Sequence, residues 1–85
     1  MDQSDLTAIR LFIETLLREH DDGAPFGDAE SLIKTGRLDS LSVVKLVTFL
    51  ESDFGVDFTK VEFEPERFDS VSEIAAILEE ARRVG

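Results

Sequence analysis

Gly36-Arg37-Leu38-Asp39-Ser40-Leu41-Ser42-Val43-Val44-Lys45-Leu46-Val47-Thr48-Phe49-Leu50-Glu51-Ser52-Asp53-Phe54-Gly55 is the stretch that decides the fold class. At about 100° per residue, Val43, Leu46, Val47, Leu50 and Phe54 fall on one face. That stripe is what a helix packed against a core needs. The helix is expected from Leu41 to about Phe54. Asp39 or Ser40 caps its start, because a short side-chain oxygen there accepts a free amide of the first turn. Gly55 ends it, since glycine enters left-handed backbone without a Cβ penalty.

The segments on either side are also helical in period. Leu6, Ile9, Phe12, Ile13, Leu16 and Leu17 share one face of a helix expected from about Asp5 to Glu19, with Ser4 as its cap and Leu11 on the outer side. Residues 20–38 contain Gly23, Pro25, Gly27 and Gly36 and read as a long loop with a helical turn near Ala29–Lys34. A loop of this length in a small domain needs pins. Phe26, Leu32, Ile33 and Leu38 are the apolar candidates. Residues 56–69 read as irregular, because Val56-Asp57-Phe58 alternates but has no second strand to pair with. Pro65 suits the first turn of a short helix reaching Arg67 or Phe68.

Ser70-Val71-Ser72-Glu73 has the capping-box spacing and opens a last helix. Val71, Ile74, Ala75 and Leu78 are expected inside and Ile77 at the edge; Arg82 and Arg83 suit the negative end of the helix dipole. The sum is an all-α chain, a small four-helix bundle of three main helices plus one short one, with residues 1–85 as one domain.

Composition narrows the function. The chain has 19 acidic against 9 basic residues, a net charge of −10, which disfavours nucleic acid because phosphate backbones recruit Lys and Arg. Such a surface either steers the chain toward basic patches on other proteins or serves solubility alone. With no cysteine, disulfides, thiol catalysis and thiolate metal sites are excluded. Asp21-Asp22 and Glu62–Glu66 lack the spacing of a calcium loop. Met1-Asp2-Gln3-Ser4-Asp5 lacks a signal-peptide pattern, and no apolar run approaches membrane-spanning length. A soluble, cytoplasmic, monomeric chain without membrane insertion is the expectation.

Ser40 is the candidate for covalent chemistry. A serine nucleophile needs a base, and the single histidine, His20, has no evident partnership with it. Ser40 is therefore either a plain helix cap or a point of modification. A helix N-terminus offers free amides and partial positive charge, which suit an attached phosphate. Leu41, Val44 and Thr48 lie opposite the core stripe, with Lys45, Glu51 and Ser52 beside them. An apolar strip with a charged margin is the pattern of a docking surface. It serves either a modified Ser40 or a non-covalent helical adaptor in which Ser40 only caps.

Leu38-Asp39-Ser40-Leu41, followed by Val43-Val44-Lys45-Leu46-Val47, Leu50-Glu51 and Phe54-Gly55-Val56, resembles the acyl carrier protein family. Size, acidity, the long first loop and the helix order extend the likeness along the chain. The resemblance implies that Ser40 carries covalent 4′-phosphopantetheine, with Asp39 and Leu41 flanking the attachment. It implies a phosphopantetheinyl transferase that installs the arm from coenzyme A, an acyl- or aminoacyl-loading ligase, and a downstream transferase or synthase. The protein is then a carrier of a thioester, not an enzyme. Leu41, Val44, Lys45, Thr48 and Glu51 are implied as partner-binding residues.

Two departures from the fatty-acid-synthesis type stand out. Lys45 occupies a place where an acid is usual, and Ser42 and Ser52 replace other frequent acids. Gly-x-Leu-Asp-Ser-Leu and the stretch Glu62-Phe63-Glu64-Pro65-Glu66-Arg67-Phe68-Asp69-Ser70 are similar to stand-alone carriers of specialised pathways, including D-alanyl carrier proteins. If the cargo is a fatty chain, Val43, Leu46, Val47 and Phe63 would line its shelter.

Overall fold

The computed structural model describes residues 3–61 and 63–84, the side chain of Val84 excepted. Met1, Asp2, Glu62 and Gly85, and the readings that touch them, lie outside the described residues. The chain runs α1 (Gln3–Glu19), α2 (Ser40–Phe54), a 3-10 turn (Pro65–Phe68) and α3 (Val71–Val84). No strand occurs among the described residues.

The three main helices stand where they are expected, and the short fourth element at Pro65–Phe68 is wound as a four-residue 3-10 turn. Pro65 opens that turn with a preset φ and no amide of its own. The Arg67 amide reaches Glu64 O at 2.9 Å and the Asp69 amide reaches Glu66 O at 3.3 Å. This tighter winding drops Phe68 into the core, where it is fully buried.

Apart from Phe68 the core is aliphatic. Ile9, Ile13, Leu16 and Leu17 of α1 meet Leu46 and Leu50 of α2 and Val71, Ile74, Ile77 and Leu78 of α3. Each such side chain contributes about 1.5–3 kcal/mol on leaving water. Leu6, Phe12, Val47 and Phe54, expected on the inner faces, are only partly buried against this cluster, and Leu11 is exposed as its position requires.

Two readings are corrected. α1 begins by Gln3, so Ser4 lies inside the helix and does not cap it. Ile77, placed at the edge of α3 by period, is buried, whereas Ala75 is only half-buried. α3 packs on both α1 and the 3-10 turn, which widens its buried face.

The long loop is held by apolar and polar pins together. Leu32 and Leu38 are buried, and Phe26 and Ile33 pack partly against the core. The helical turn expected near Ala29–Lys34 falls later, over residues 32–36, where the Gly36 amide meets Ile33 O at 3.0 Å. Gly36 has φ 82°, a left-handed value that side chains resist. Asp69, just before α3, is buried and accepts from the Ser31 hydroxyl at 2.7 Å, the Ile33 amide at 2.7 Å and the Lys34 amide at 3.0 Å. Arg10 of α1 pairs with Asp28. These bonds fix the segment that delivers the chain to the start of α2.

Candidate functional site

Asp39, not Ser40, caps α2. Its backbone is extended, with φ −107° and ψ −177°. Its Oδ1 accepts the Ser42 amide at 2.9 Å and the Ser42 hydroxyl at 3.0 Å. The Ser42 amide is one of the orphan donors of the first turn. These two bonds, aided by the charge of His20, hold the Asp39 carboxyl below its ordinary range. Ser42 is buried and belongs to the cap, so it is not a surface substitute for an acid. The far end closes as expected: Gly55 is left-handed at φ 67°, and the Val56 amide reaches Leu50 O at 3.2 Å.

Ser40 is thereby released from capping. It is the first residue of α2, is exposed, and its hydroxyl has no hydrogen-bond partner among the described residues. It borders an open cleft of about 480 Å³ lined by Ile33, Leu38, Asp39, Val43, Val44, Phe63 and Pro65. Phe63 is half exposed and packs its ring against Phe58 and Phe68 at centroid distances of 6.2 and 5.7 Å. The cleft thus has an apolar wall on a fixed aromatic cluster, with a free hydroxyl at its edge.

The approach to Ser40 is tied by hydrogen bonds from Arg37. All the nitrogens of Arg37 donate: Nε and Nη2 to Asp22 at 2.9 and 3.1 Å, Nη1 to Glu30 at 2.7 Å and Pro25 O at 3.3 Å, Nη2 also to Ala24 O at 2.8 Å. The side-chain bonds to Asp22 and Glu30 raise the Arg37 pKa further above its already high ordinary value. Its charge is spent inside the loop and is not offered to a ligand. His20 lies 3.8 Å from Asp39 Oδ2 across a small polar hollow that also contains Asp22, Thr35 and Gly36.

The predicted strip divides in two. Leu41 and Val44 are exposed at 60% and 59%, and Thr48 and Glu51 are exposed beside them. Lys45 is half-buried and bonds Glu19 of α1 at 2.8 Å, so its charge is partnered. Val43 and Leu46, named as a cargo lining, are buried in the core, and Val47 is partly buried; of these only Val43 reaches the cleft. The period of α2 located its exposed face but missed Phe49, which stacks on Phe12 of α1 at 4.2 Å. Ile33, expected as a loop pin, also walls the Ser40 cleft, and His20 comes beside Asp39; both places depend on how the loop folds back.

Among the described residues, no group of three or more His, Cys, Asp or Glu side chains is placed to hold a metal ion. No helix is long and apolar enough to cross a membrane among those residues.

Over 52 residues the chain is 40% identical to the D-alanyl carrier protein of Lacticaseibacillus rhamnosus, covering 61% of this chain and 64% of that protein. It is 38% identical over 52 residues to the D-alanyl carrier protein of Lacticaseibacillus casei (strain BL23), with the same coverage. The match thus spans less than two thirds of the length of these relatives. No solved structure matches the chain significantly. The family model described as the phosphopantetheine attachment site, whose members carry covalent 4′-phosphopantetheine on a serine, matches residues 8–78. With that match covering most of its length, the chain belongs to the phosphopantetheine attachment site family.

Proposed function

We propose that residues 1–85 act as one carrier domain, with 4′-phosphopantetheine attached through a phosphodiester to Ser40 Oγ. The observation that carries this reading is the division of labour at the start of α2. Asp39 holds the first-turn amide and leaves the Ser40 hydroxyl exposed and unengaged. A serine that served only as a cap would have its oxygen committed to the backbone. Capping by Asp39 counts against the alternative, a non-covalent adaptor in which Ser40 serves only as a cap.

The residues around Ser40 fit the group. The first turn of α2 presents partial positive charge to an attached phosphate. The cleft edged by Val44, Phe63 and Pro65 offers apolar surface along which an arm can lie. When bound, the arm supplies a terminal thiol that holds a carried group as a thioester, which suits a chain with no cysteine. Activation and transfer of the group fall to partner enzymes in this reading. The chain is a carrier, not a catalyst.

The partners in this reading are a phosphopantetheinyl transferase, a loading ligase and a downstream transferase or synthase. Leu41, Val44, Lys45, Thr48 and Glu51 form the face they approach. Lys45 contributes mainly by holding α2 to α1 through Glu19. The likeness to two D-alanyl carrier proteins supports an aminoacyl cargo, D-alanine being the leading candidate. The protein works as a monomer in the cytoplasm in this reading.

The test is intact mass after incubation with coenzyme A, magnesium and a broad-specificity phosphopantetheinyl transferase. A gain of one phosphopantetheine is expected for the native chain and none for Ser40→Ala. An unmodified native chain would sink the reading. Loading of the holo form with D-alanine by a D-alanine-activating ligase, against a fatty acid by an acyl ligase, then identifies the cargo.

A further inference from the structure

A second apolar surface lies on the other side of Val44. It is a groove of about 440 Å³ between α1 and α2, and it does not include Ser40. Its floor is Phe12, Leu16, Val44 and the Phe49 ring stacked on Phe12. Val44 lines both this groove and the cleft at Ser40. One apolar track therefore runs from the attachment position, over Val44, to the middle of α1.

The groove has the dimensions of a helix site. From Val44 to Asp53 it follows α2 for about 13 Å, at 1.5 Å per residue, or between two and three helical turns. Both walls are helices whose backbone groups bond internally, so no free edge invites an extended strand. The margin also selects charge. Glu19 and Lys45 neutralise each other at 2.8 Å, which leaves Asp53 in the margin and Glu51 on the adjoining face of α2. The chain as a whole carries −10.

We propose that this groove receives an amphipathic helix of an enzyme that acts on the Ser40 arm, with an apolar stripe flanked by Lys or Arg. The proposal deepens the carrier reading and rests on it for the owner of the helix. It adds α1 to the interface through Phe12, Thr15 and Leu16. An apolar stripe at helical spacing covers the Phe12–Phe49 pair, while its basic flanks meet Glu51 and Asp53. Acidic or strand-forming partners are disfavoured by the same features.

The probe is a short helical peptide of leucine and lysine, with leucine at i, i+3, i+4 and i+7. Its binding to the native holo chain is followed by fluorescence anisotropy, and its position by amide shifts in NMR. Thr15→Lys and Ala76→Lys are compared because both sites are exposed on helices and both changes add the same charge. Lysine is a good helix former, so neither change should harm the fold. The expected result is shifts concentrated at Phe12, Thr15, Val44, Thr48 and Phe49. Thr15→Lys should weaken binding about ten-fold and Ala76→Lys less than about two-fold at near-physiological salt.

Equal weakening by both variants would reduce the effect to general charge attraction and overturn the proposal. Loss with Thr48→Lys but none with Thr15→Lys would confine docking to α2 and also overturn it. A native chain that binds the peptide in the groove but gains no phosphopantetheine would instead sink the carrier reading.

Discussion

The Asp69 carboxylate accepts the Ile33 amide at 2.7 Å, tying the segment before α3 to the loop that leads into α2. The same carboxylate holds the Lys34 amide at 3.0 Å and the Ser31 hydroxyl at 2.7 Å, and Asp69 O takes the Leu32 amide at 2.7 Å. One residue thus organises the turn on which Ile33, a wall of the Ser40 cleft, is carried. Asp69→Ala removes the side-chain acceptor but leaves the donors in place. An unsatisfied donor costs about 1–3 kcal/mol when water cannot replace the partner fully. Urea unfolding should show a loss of about that size, and amide exchange at Ile33 and Lys34 should quicken more than in α1.

Acid should unfold the protein through these same carboxylates. Burial pushes Asp69 up, but bonds from Ser31, Lys34 and Ile33 outweigh it and leave the group below its ordinary range. Asp22 is lowered by its bonds from Arg37 and the Ala24 amide, Asp28 by its bond from Arg10, and Asp39 by the Ser42 amide. In each case the folded pKa is below the unfolded one. The unfolded chain then binds more protons in that window, so stability rises with pH. The contribution is complete above the unfolded carboxyl value of about 3.9 and is lost as pH falls through the folded values. Thermal melts should be level from about pH 8 to 5 and drop steeply below about 4. Asp69→Asn should flatten the acid limb.

Which parts of this architecture are written locally is a matter of range. The α2 stripe is legible because Val43, Leu46 and Leu50 repeat at helical period, and the Gly55 stop is legible from one residue. Leu32 and Leu38 are legible as pins because a long loop offers few other apolar groups. The polar pins are not. Arg37 meets Asp22 across 15 positions and Asp69 meets Ile33 across 36, and neither spacing has a period. Helical period puts Ile77 at the edge, but a helix between two neighbours buries more than one stripe. At the site, the local signal left Asp39 and Ser40 as equal candidates for the cap. The extended backbone at Asp39 decides between them. The stacking of Phe49 on Phe12 needed the relative placement of two helices.

That assignment of the cap makes opposite predictions for adjacent residues. Ser40→Ala removes an exposed hydroxyl that has no partner among the described residues, so stability should change by less than about 0.5 kcal/mol. It should nevertheless abolish the mass gain. Asp39→Ala strips the acceptor from the Ser42 amide and hydroxyl and should loosen the first turn of α2. Faster amide exchange at Ser42 is the direct readout. Asp39→Asn keeps a capping oxygen and should recover much of the loss. If Ser40→Ala loosens α2 as much as Asp39→Ala does, the cap is shared and the hydroxyl is not free.

Leu41 and Leu46 are the same residue type on the same helix with opposite surroundings. Leu46 is fully buried, and Leu41 is 60% exposed next to Ser40. Leu46→Ala should cost about 2–5 kcal/mol through lost transfer energy and the cavity left behind. That is a large share of what a domain this small commands. Leu41→Ala should cost less than about 0.5 kcal/mol, because water already covers most of it. Its effect should appear in function instead: with the fold intact, modification of Ser40 should show a raised KM for the carrier and an unchanged kcat. A raised KM marks lost docking, whereas a lowered kcat would mean that Leu41 positions the hydroxyl itself. An unchanged KM and kcat would remove Leu41 from the transferase interface.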